Sequence, residues 1–346
     1  MPGIRTEITE IVTGLGMSGL SDVGTALAAR PAQLHNVDAS HWQRLEEAYA
    51  AGDHVEDFDS AWANGRAFLE SPDGLRNRVP LVIEWKGPQR QPGYDTLPAD
   101  LRVDHVYLVS CKYRSSILAN SSPVNLFVRR LADRTSGSDA TSWYVTSAPD
   151  EFQHFYSCVR RHVGLYLLPA NHEQLTPAQT DRIRAACAGA WPPALVPQWQ
   201  EFSLAVAKAS ADRWRKELST ETRREEMLWR LIRLGPAPYF VLGSSARGPM
   251  RIRIGTPWDW KQAFTLRSFD VNASPAGQPR VDWRATVVET AGGTQRDVAG
   301  HVEIRWAHGR FSSVEAKIYL DTPHAEVPGY FPLAESRVNT LFSEWS

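Results

Sequence analysis

A β-hairpin is predicted by the segment Ala99-Asp100-Leu101-Arg102-Val103-Asp104-His105-Val106-Tyr107-Leu108-Val109-Ser110-Cys111-Lys112-Tyr113. Its second apolar run ends in Ser-Cys-Lys, and a charged residue at the end of a buried strand usually has a partner or a function. Because side chains alternate between the faces of a strand, Asp100 and Ser110 share a face only if they pair across the hairpin. That pairing needs an odd-numbered loop, such as residues 104–106, or a bulge. A two-residue turn would instead pair Asp100 with Val109 and put Lys112 on the opposite face.

Regular elements are predicted on both sides of the hairpin. Residues 55–70 have the apolar spacing of an amphipathic helix, which stops at Ser71-Pro72-Asp73-Gly74. Residues 79–85 form a short and almost entirely apolar run, which favours a buried strand. After the hairpin, Ser121-Ser122-Pro123 predicts a capped helix start, and residues 143–146 predict a short strand. The predicted order over residues 55–147 is therefore helix, strand, strand, strand, helix, strand.

This order, with an acid near the start of the hairpin and a lysine near its end, resembles the PD-(D/E)XK nuclease superfamily. In that superfamily an Asp and an Asp/Glu-X-Lys triplet on adjacent strands hold a divalent metal beside a water-orienting lysine. Asp100 matches the first acid and Lys112 matches the lysine, but Ser110 stands in the place of the second acid. The resemblance covers roughly a third of the chain. It implies an α/β (α+β) fold with a restriction-endonuclease-like mixed-sheet core flanked by helices.

The resemblance also implies a metal site for Mg²⁺ or Mn²⁺. Asp100 and the backbone carbonyl of Cys111 would be ligands, and Lys112 would orient the attacking water and stabilise developing negative charge. Ser110 can form a hydrogen bond but binds Mg²⁺ poorly. A compensating carboxylate is expected from Glu84 on the first strand, or from Glu70 at the end of the preceding helix. A solvated strand end or helix end is an equally good interpretation of either glutamate.

Two other Glu-X-Lys triplets compete with Ser-Cys-Lys. Glu84-Trp85-Lys86 lies on the first predicted strand, and Glu315-Ala316-Lys317 lies on a late strand over residues 313–320. The late triplet fits the consensus letters better. However, the following Thr-Pro-His-Ala-Glu-Val-Pro-Gly cannot make the helix that the core requires. We interpret the late triplet as an exposed ion pair on a strand edge.

Four segments are predicted along the 346 residues. A helical N-terminal segment covers residues 1–54, a nuclease-like core 55–171, a helical connector 172–238, and a mainly β domain 239–346, which is expected to recognise the target. A single domain, in which the late strands pack on the nuclease sheet, is the alternative. Residues 1–78 have 6 Lys and Arg against 12 Asp and Glu, a net charge of −6, whereas residues 79–260 have 23 against 17, a net of +6. The basic part contains the hairpin, which favours contact with phosphate.

Aromatic and arginine side chains of the chain suggest contacts with nucleic acid. Bases are expected to contact Trp258, Trp260, Arg267 and Arg305, and phosphates are expected to contact Arg129 and Arg130. Most such aromatic residues are core residues in other proteins, so at most a third of them are expected on a ligand surface.

Other compartments and chemistries find little support in the sequence. Three cysteines without metal-ligand spacing favour a reducing cytoplasm over a disulfide or zinc protein. There is no apolar run of membrane-spanning length, and no Walker A, Gly-x-Ser-x-Gly or His-Glu-x-x-His motif.

We therefore expect a cytoplasmic Mg²⁺-dependent DNA endonuclease of restriction or genome-defence type. It would act on double-stranded DNA as a homodimer, because cutting both strands with one site per chain requires two chains. The first alternative is a catalytically degenerate nuclease fold that serves as a DNA-binding or complex-forming subunit. The second is an RNA-directed or nucleotide-directed enzyme on the same core.

Overall fold

The computed structural model describes residues 3–87, 99–113, 117–131, 142–245, 248–274 and 277–334. The chain forms two compact units, and each is built from separate stretches of sequence. The first unit contains Met1–Ser116, Arg233–Gln262 and His324–Ser346, and the second contains Ile117–Ile232 and Ala263–Pro323. No helix among the described residues is long and apolar enough to cross a membrane.

The first unit is a mixed seven-stranded sheet with helices. The strand order is β1-β2-β3-β4-β6-β7-β12, in which β1/β2 and β4/β6 are parallel and the other pairs are antiparallel. The strands are β1 Leu34–His35, β2 Ile83–Trp85, β3 Leu101–Val103, β4 Tyr107–Tyr113, β6 Tyr239–Ser245, β7 Gly248–Ile254 and β12 Tyr330–Pro332. The helices are α1 Ile4–Glu7, a π-helical turn Ile8–Val12, α2 Thr13–Gly16, α3 Val23–Ala29, α4 Ala39–Ala50, α5 Val55–Glu70, α12 Pro257–Ala263 and a 3₁₀ turn His324–Glu326.

The register of the central hairpin brings Asp100 and Ser110 to the same face of the sheet. Leu101 pairs with Val109 and Val103 with Tyr107, so β3 and β4 are joined by the three-residue loop 104–106. Asp104 holds this loop, because its carboxylate accepts hydrogen bonds from the Leu81 and Val82 amides at 2.8 and 3.1 Å. Of the alternatives that the sequence left open, the structure has the odd-numbered loop, and continuing this register places Asp100 opposite Ser110.

The N-terminal helical stretch crosses α5 at a contact between two glycines. A Cβ atom at Gly65 would overlap the Thr13 carbonyl oxygen and lie 2.9 Å from the Gly16 Cα. The glycines therefore allow the two helix backbones to touch. This crossing fixes the position of the π-helical turn, which carries Glu10, against the sheet.

We expect Gly65→Ala to destabilise the protein by about 2 kcal/mol or more, because overpacking against fixed backbone exceeds the gain in helix propensity. Urea unfolding monitored by circular dichroism would measure the loss. Gly24→Ala, in α3, is the matched control, since its Cβ would meet side-chain atoms and no backbone: the half-exposed Tyr49 ring at 3.3 Å and Asp22 Oδ1 at 3.4 Å. Equal stability of wild type and Gly65→Ala would contradict the close helix crossing.

The second unit packs helices on a five-stranded antiparallel sheet. The strand order is β5-β11-β10-β9-β8. The strands are β5 Ile117–Ser121, β8 Phe264–Ser274, β9 Arg280–Glu289, β10 Gln295–Trp306 and β11 Val314–Leu320. The helices are α6 Pro123–Phe127, α7 Trp143–Ser147, α8 Pro149–His162, α9 Pro177–Ala186, α10 Val196–Glu217, α11 Glu221–Leu231 and 3₁₀ turns at His172–Gln174 and Pro193–Leu195. The long helix α10 buries Trp199, Phe202 and Trp214.

One predicted strand is wrong. Residues 143–146 belong to α7, in which the consecutive residues Trp143 and Tyr144 are both buried. Trp143 Nε1 donates to Ser210 Oγ at 2.9 Å, and the Tyr144 hydroxyl donates to the Ile304 carbonyl at 2.9 Å. Tertiary contacts in two directions thus override the β propensity of this short segment. The strand that lies parallel to β4 is instead β6, more than a hundred residues further along the chain.

The units also differ from the four predicted segments. The predicted β domain 239–346 is divided, because β6, β7 and β12 complete the first sheet whereas β8 to β11 form the second sheet with β5.

The interpretation of the late triplet Glu315-Ala316-Lys317 as a feature of a strand edge is also wrong. Lys317 Nζ does pair with Glu315 Oε1, at 3.1 Å, but β11 lies between β5 and β10 and is an interior strand.

Candidate active site

Asp100 lies where the backbones of β2, β3 and β4 meet. Its carboxylate Oδ2 accepts hydrogen bonds from the Cys111 amide at 2.6 Å and from the Ser110 hydroxyl at 3.2 Å. Its backbone is fixed as well, since its N–H donates to the Val109 carbonyl at 2.7 Å and its carbonyl accepts from the Lys86 N–H at 2.9 Å. Asp100 is therefore held in one orientation.

A second carboxylate, that of Glu10, comes from the π-helical turn Ile8–Val12. Such turns are rare and occur frequently at functional sites. Glu10 Oε2 accepts a hydrogen bond from Trp85 Nε1 at 2.6 Å, and Trp85 is only 1% exposed. The His41 ring packs edge-on against Trp85 with centroids 4.8 Å apart. These contacts connect Glu10 rigidly to strand β2.

The two carboxylates are close enough to disturb each other's ionisation. Burial, and then repulsion from Asp100, raises the pKa of Glu10 to about 7. Burial also raises the pKa of Asp100, although Lys112 and the Cys111 amide act in the opposite direction. Glu10 and Asp100 are therefore two neighbouring acids whose ionised forms are disfavoured.

Lys112 supplies a positive charge beside the two acids. Burial lowers its pKa, and Arg233 lowers it further, whereas Asp100 and Glu10 raise it. The neighbouring strand approaches closely here, because a Cβ at Gly243 would overlap the Lys112 carbonyl oxygen. Lys112 is thus a partly buried amine whose deprotonation costs less free energy than that of an exposed lysine.

Cys111 contributes backbone rather than thiol chemistry. Its amide holds Asp100, and its side chain is only 7% exposed. Burial, followed by repulsion from Asp100 and Glu10, raises the pKa of its thiol well above the usual range. The thiol stays protonated at neutral pH, so a thiolate nucleophile is excluded at this position.

Neither of the two glutamates that the sequence favoured is brought to Asp100. Glu84 binds Arg102, with one bond of 2.6 Å, and lies 3.3 Å from His105 Nδ1. The hydrogen bond from Arg102 lowers the pKa of Glu84, the opposite of the shift at Glu10. Glu70 pairs with Arg66 on its own helix at 2.7 Å. The carboxylate that interacts electrostatically with Asp100 is instead Glu10.

Sequence reasoning missed Glu10, which is far from the hairpin along the chain. A usable signal was present, because Ile8-Thr9-Glu10-Ile11-Val12 places one acid inside an otherwise apolar helical run. A carboxylate in such a run must be buried or partnered. This signal depends on the prediction that residues 1–54 form a helical segment.

The residues predicted to contact nucleic acid are placed differently from one another. Trp260 is 1% exposed, so its predicted role in base stacking is wrong: the ring is a core side chain. Trp258, two residues earlier, is 70% exposed. Arg267 is exposed on β8. Arg305 instead forms ion pairs, since its Nη1 lies 3.5 Å from Glu303 Oε2 and its Nε lies 3.8 Å from Glu315 Oε1.

The two candidate phosphate-binding arginines follow α6. Arg130 lies 3.5 Å from Glu217, and its carbonyl accepts a hydrogen bond from Arg230 at 2.8 Å. These contacts tie Arg130 to α10 and α11 of its own unit. Arg129 is partly exposed.

No family model, curated protein or solved structure matched this chain. Within the part of the chain that the structure describes, no three His, Cys, Asp or Glu side chains are grouped to hold a metal ion. The site offers two carboxylates, and Mg²⁺ is commonly held by one or two carboxylates with water and substrate phosphate.

Proposed function

We propose that this chain is a metal-dependent nuclease that hydrolyses phosphodiester bonds in double-stranded DNA. The observation that carries the proposal is the meeting of Glu10, Asp100 and Lys112 at the central hairpin. Two acids whose pKa values are raised lie beside a lysine whose pKa is lowered. Perturbed titratable groups of both signs in one place are typical of catalytic sites.

The strand order supports the same proposal. Helix α5 and strands β2, β3 and β4 follow one another, and β6 returns parallel to β4 after β5 and helices α6 to α11 of the second unit. If β5, which belongs to the second sheet, is set aside, this succession agrees with the order helix, strand, strand, strand, helix, strand that the superfamily resemblance implies, with β6 in place of the predicted strand over residues 143–146. We propose that the first unit is a restriction-endonuclease-like core into which most of the second unit is inserted.

Each side chain has a role in this proposal. Glu10 and Asp100 would hold Mg²⁺ or Mn²⁺, which supplies charge neutralisation and a nucleophilic water when bound. Trp85 fixes Glu10, and the Cys111 amide and Ser110 hydroxyl fix Asp100. Both donors to Asp100 use Oδ2. Lys112 would hold the attacking water and stabilise the negative charge that develops on phosphate.

Incubation of the purified protein with plasmid and phage DNA tests the proposal. Methylated and unmethylated DNA should each be tried with Mg²⁺, with Mn²⁺ and with EDTA. Cleavage that requires the metal is expected, and single-stranded DNA and RNA in the same assay identify any preference for another nucleic acid. We expect a homodimer for double-strand cutting, which sedimentation of the DNA-bound protein would reveal. Absence of cleavage on every nucleic acid with either metal would overturn the proposal.

A degenerate nuclease fold that binds DNA without cutting it is the second candidate. Ser110 favours it, because this residue occupies the expected position of an acid and is buried at 1% exposure. Its hydroxyl donates to Asp100 and competes with a cation for that carboxylate. Duplex binding without cleavage would support this candidate.

The variant Ser110→Glu separates the two candidates. If Glu10 already completes the site, a third buried carboxylate crowds it, and cleavage should fall about tenfold or shift towards Mn²⁺. Ser110→Ala, which removes only the hydroxyl, is the matched control and should change the rate much less. Gel-based cleavage rates over a range of both metals measure the effect. An inert wild type with a cutting Ser110→Glu variant would favour the degenerate fold instead.

A further inference from the structure

Two large apolar side chains project from a tight turn in the second unit. The turn Leu165–Leu168 is closed by the Leu168 N–H, which donates to the Leu165 carbonyl at 3.0 Å. Its two central residues are Tyr166, 65% exposed, and Leu167, 87% exposed. Central turn positions normally favour Gly, Pro, Asn, Asp or Ser, so turn formation alone does not account for this pair.

The turn is held rigidly from below. Arg160, on α8, donates to the Leu168 carbonyl at 2.9 Å and to the Tyr166 carbonyl at 2.7 Å. The Tyr156 hydroxyl donates to the Pro169 carbonyl at 2.6 Å, and Leu168 is 3% exposed. An arginine, a tyrosine and a buried leucine thus fix the backbone that presents Leu167 and the Tyr166 ring, whose hydroxyl donates back to the Arg161 carbonyl at 3.4 Å.

The surroundings of the turn are basic. Helix α8 ends in Arg160, Arg161 and His162, of which Arg161 and His162 are exposed. Arg161 Nε lies 3.3 Å from the Ser157 carbonyl, so its guanidinium follows the surface of the helix. An apolar tip beside the exposed Arg161 guanidinium matches a polymer that offers both stacked apolar surfaces and phosphates. A protein groove would require an acidic rim to match these charges.

We propose that the turn Leu165–Leu168 is a wedge that inserts Leu167 and Tyr166 between stacked base pairs of double-stranded DNA. This inference rests on the proposed function, because it names duplex DNA as the ligand. Apolar side chains of this kind unstack a base step in other DNA-bending proteins, and nearby arginines hold the flanking phosphates. The rigid turn reduces the entropy that insertion would otherwise cost.

Fluorescence of a short mixed-sequence duplex that contains 2-aminopurine tests the wedge. This base analogue brightens when it is unstacked, and EDTA keeps the measurement independent of cleavage. Wild-type protein should raise the fluorescence, whereas Leu167→Ala and Tyr166→Ala should each suppress the rise and weaken duplex binding about tenfold. Arg160→Met, which keeps both tips but releases the turn, should lie between wild type and these variants.

The matched control is Leu81→Ala, since Leu81 is 81% exposed but lies in the first unit. It should bind and brighten the duplex as wild type does, and circular dichroism should show every variant folded. Unchanged fluorescence and affinity in Leu167→Ala and Tyr166→Ala would overturn the wedge, as would an equal loss in Leu81→Ala. The cleavage assay is separate, so a cutting enzyme with a dispensable turn refutes the wedge alone. An inert protein that unstacks DNA through this turn refutes the nuclease alone.

Discussion

Asp100→Asn and Lys112→Met should each reduce metal-dependent cleavage by about 10²-fold or more, because they remove the proposed metal ligand and the proposed donor to the developing charge. Asparagine keeps an oxygen that can accept from the Cys111 amide, so the hairpin should remain folded. Methionine keeps most of the apolar stem of the lysine. Cleavage rates under saturating Mg²⁺, with circular dichroism as the check on folding, measure both losses.

The chain supplies a control for each of these variants. Glu84→Gln changes a carboxylate on the neighbouring strand that is bound to Arg102, and it should retain activity. Lys317→Met changes the lysine of the rival triplet in the second unit and should also retain activity. Full cleavage by Asp100→Asn or Lys112→Met would remove the site assignment. Loss of cleavage in Glu84→Gln would return that glutamate to the catalytic set.

The hairpin could be predicted because its determinants are local. Apolar alternation, the loop length and the polar ends all lie within fifteen consecutive residues, Ala99 to Tyr113. The required register followed from strand geometry alone, and the Leu101–Val109 pairing has it. The local sequence alone was therefore enough to predict that Asp100 and Lys112 lie at the same end of the hairpin.

The rest of the site depends on contacts between distant parts of the chain. Glu10 comes within electrostatic range of Asp100 in a unit where Gly16 and Gly65 let two helices cross closely, and no local pattern encodes that crossing. Strand β6 begins more than a hundred residues after β4 ends. The apolar run at 143–146 was predicted to be the strand beside β4 because it lies nearer in the sequence, and that prediction is wrong. Burial of Trp260 beside the exposed Trp258 is likewise decided by tertiary packing, which a sequence pattern of aromatic residues does not specify.

If the proposed nuclease activity is present, Glu10→Gln should abolish it and at the same time stabilise the metal-free protein. The pKa of Glu10 is raised from 4.5 to about 7 by folding, so the folded state resists its ionisation. Such a group costs nothing below pH 4.5, where it is protonated in both states. Stability is lost as the pH rises from there to about 7, and the full cost remains above that pH. The shift corresponds to a cost on the order of 3 kcal/mol.

Urea unfolding in EDTA at pH 8 and pH 4 measures this effect. Glu10→Gln should raise the free energy of unfolding by on the order of 3 kcal/mol at pH 8 and change it little at pH 4. Glu84→Gln is the control of opposite sign: because Arg102 lowers the pKa of Glu84, its ionised form stabilises the fold and its loss should destabilise at pH 8. A Glu10→Gln protein less stable than wild type at pH 8 would make Glu10 a structural partner of Trp85. A more stable but inactive one would mean that the fold bears the cost of an ionised Glu10 for the sake of binding a cation.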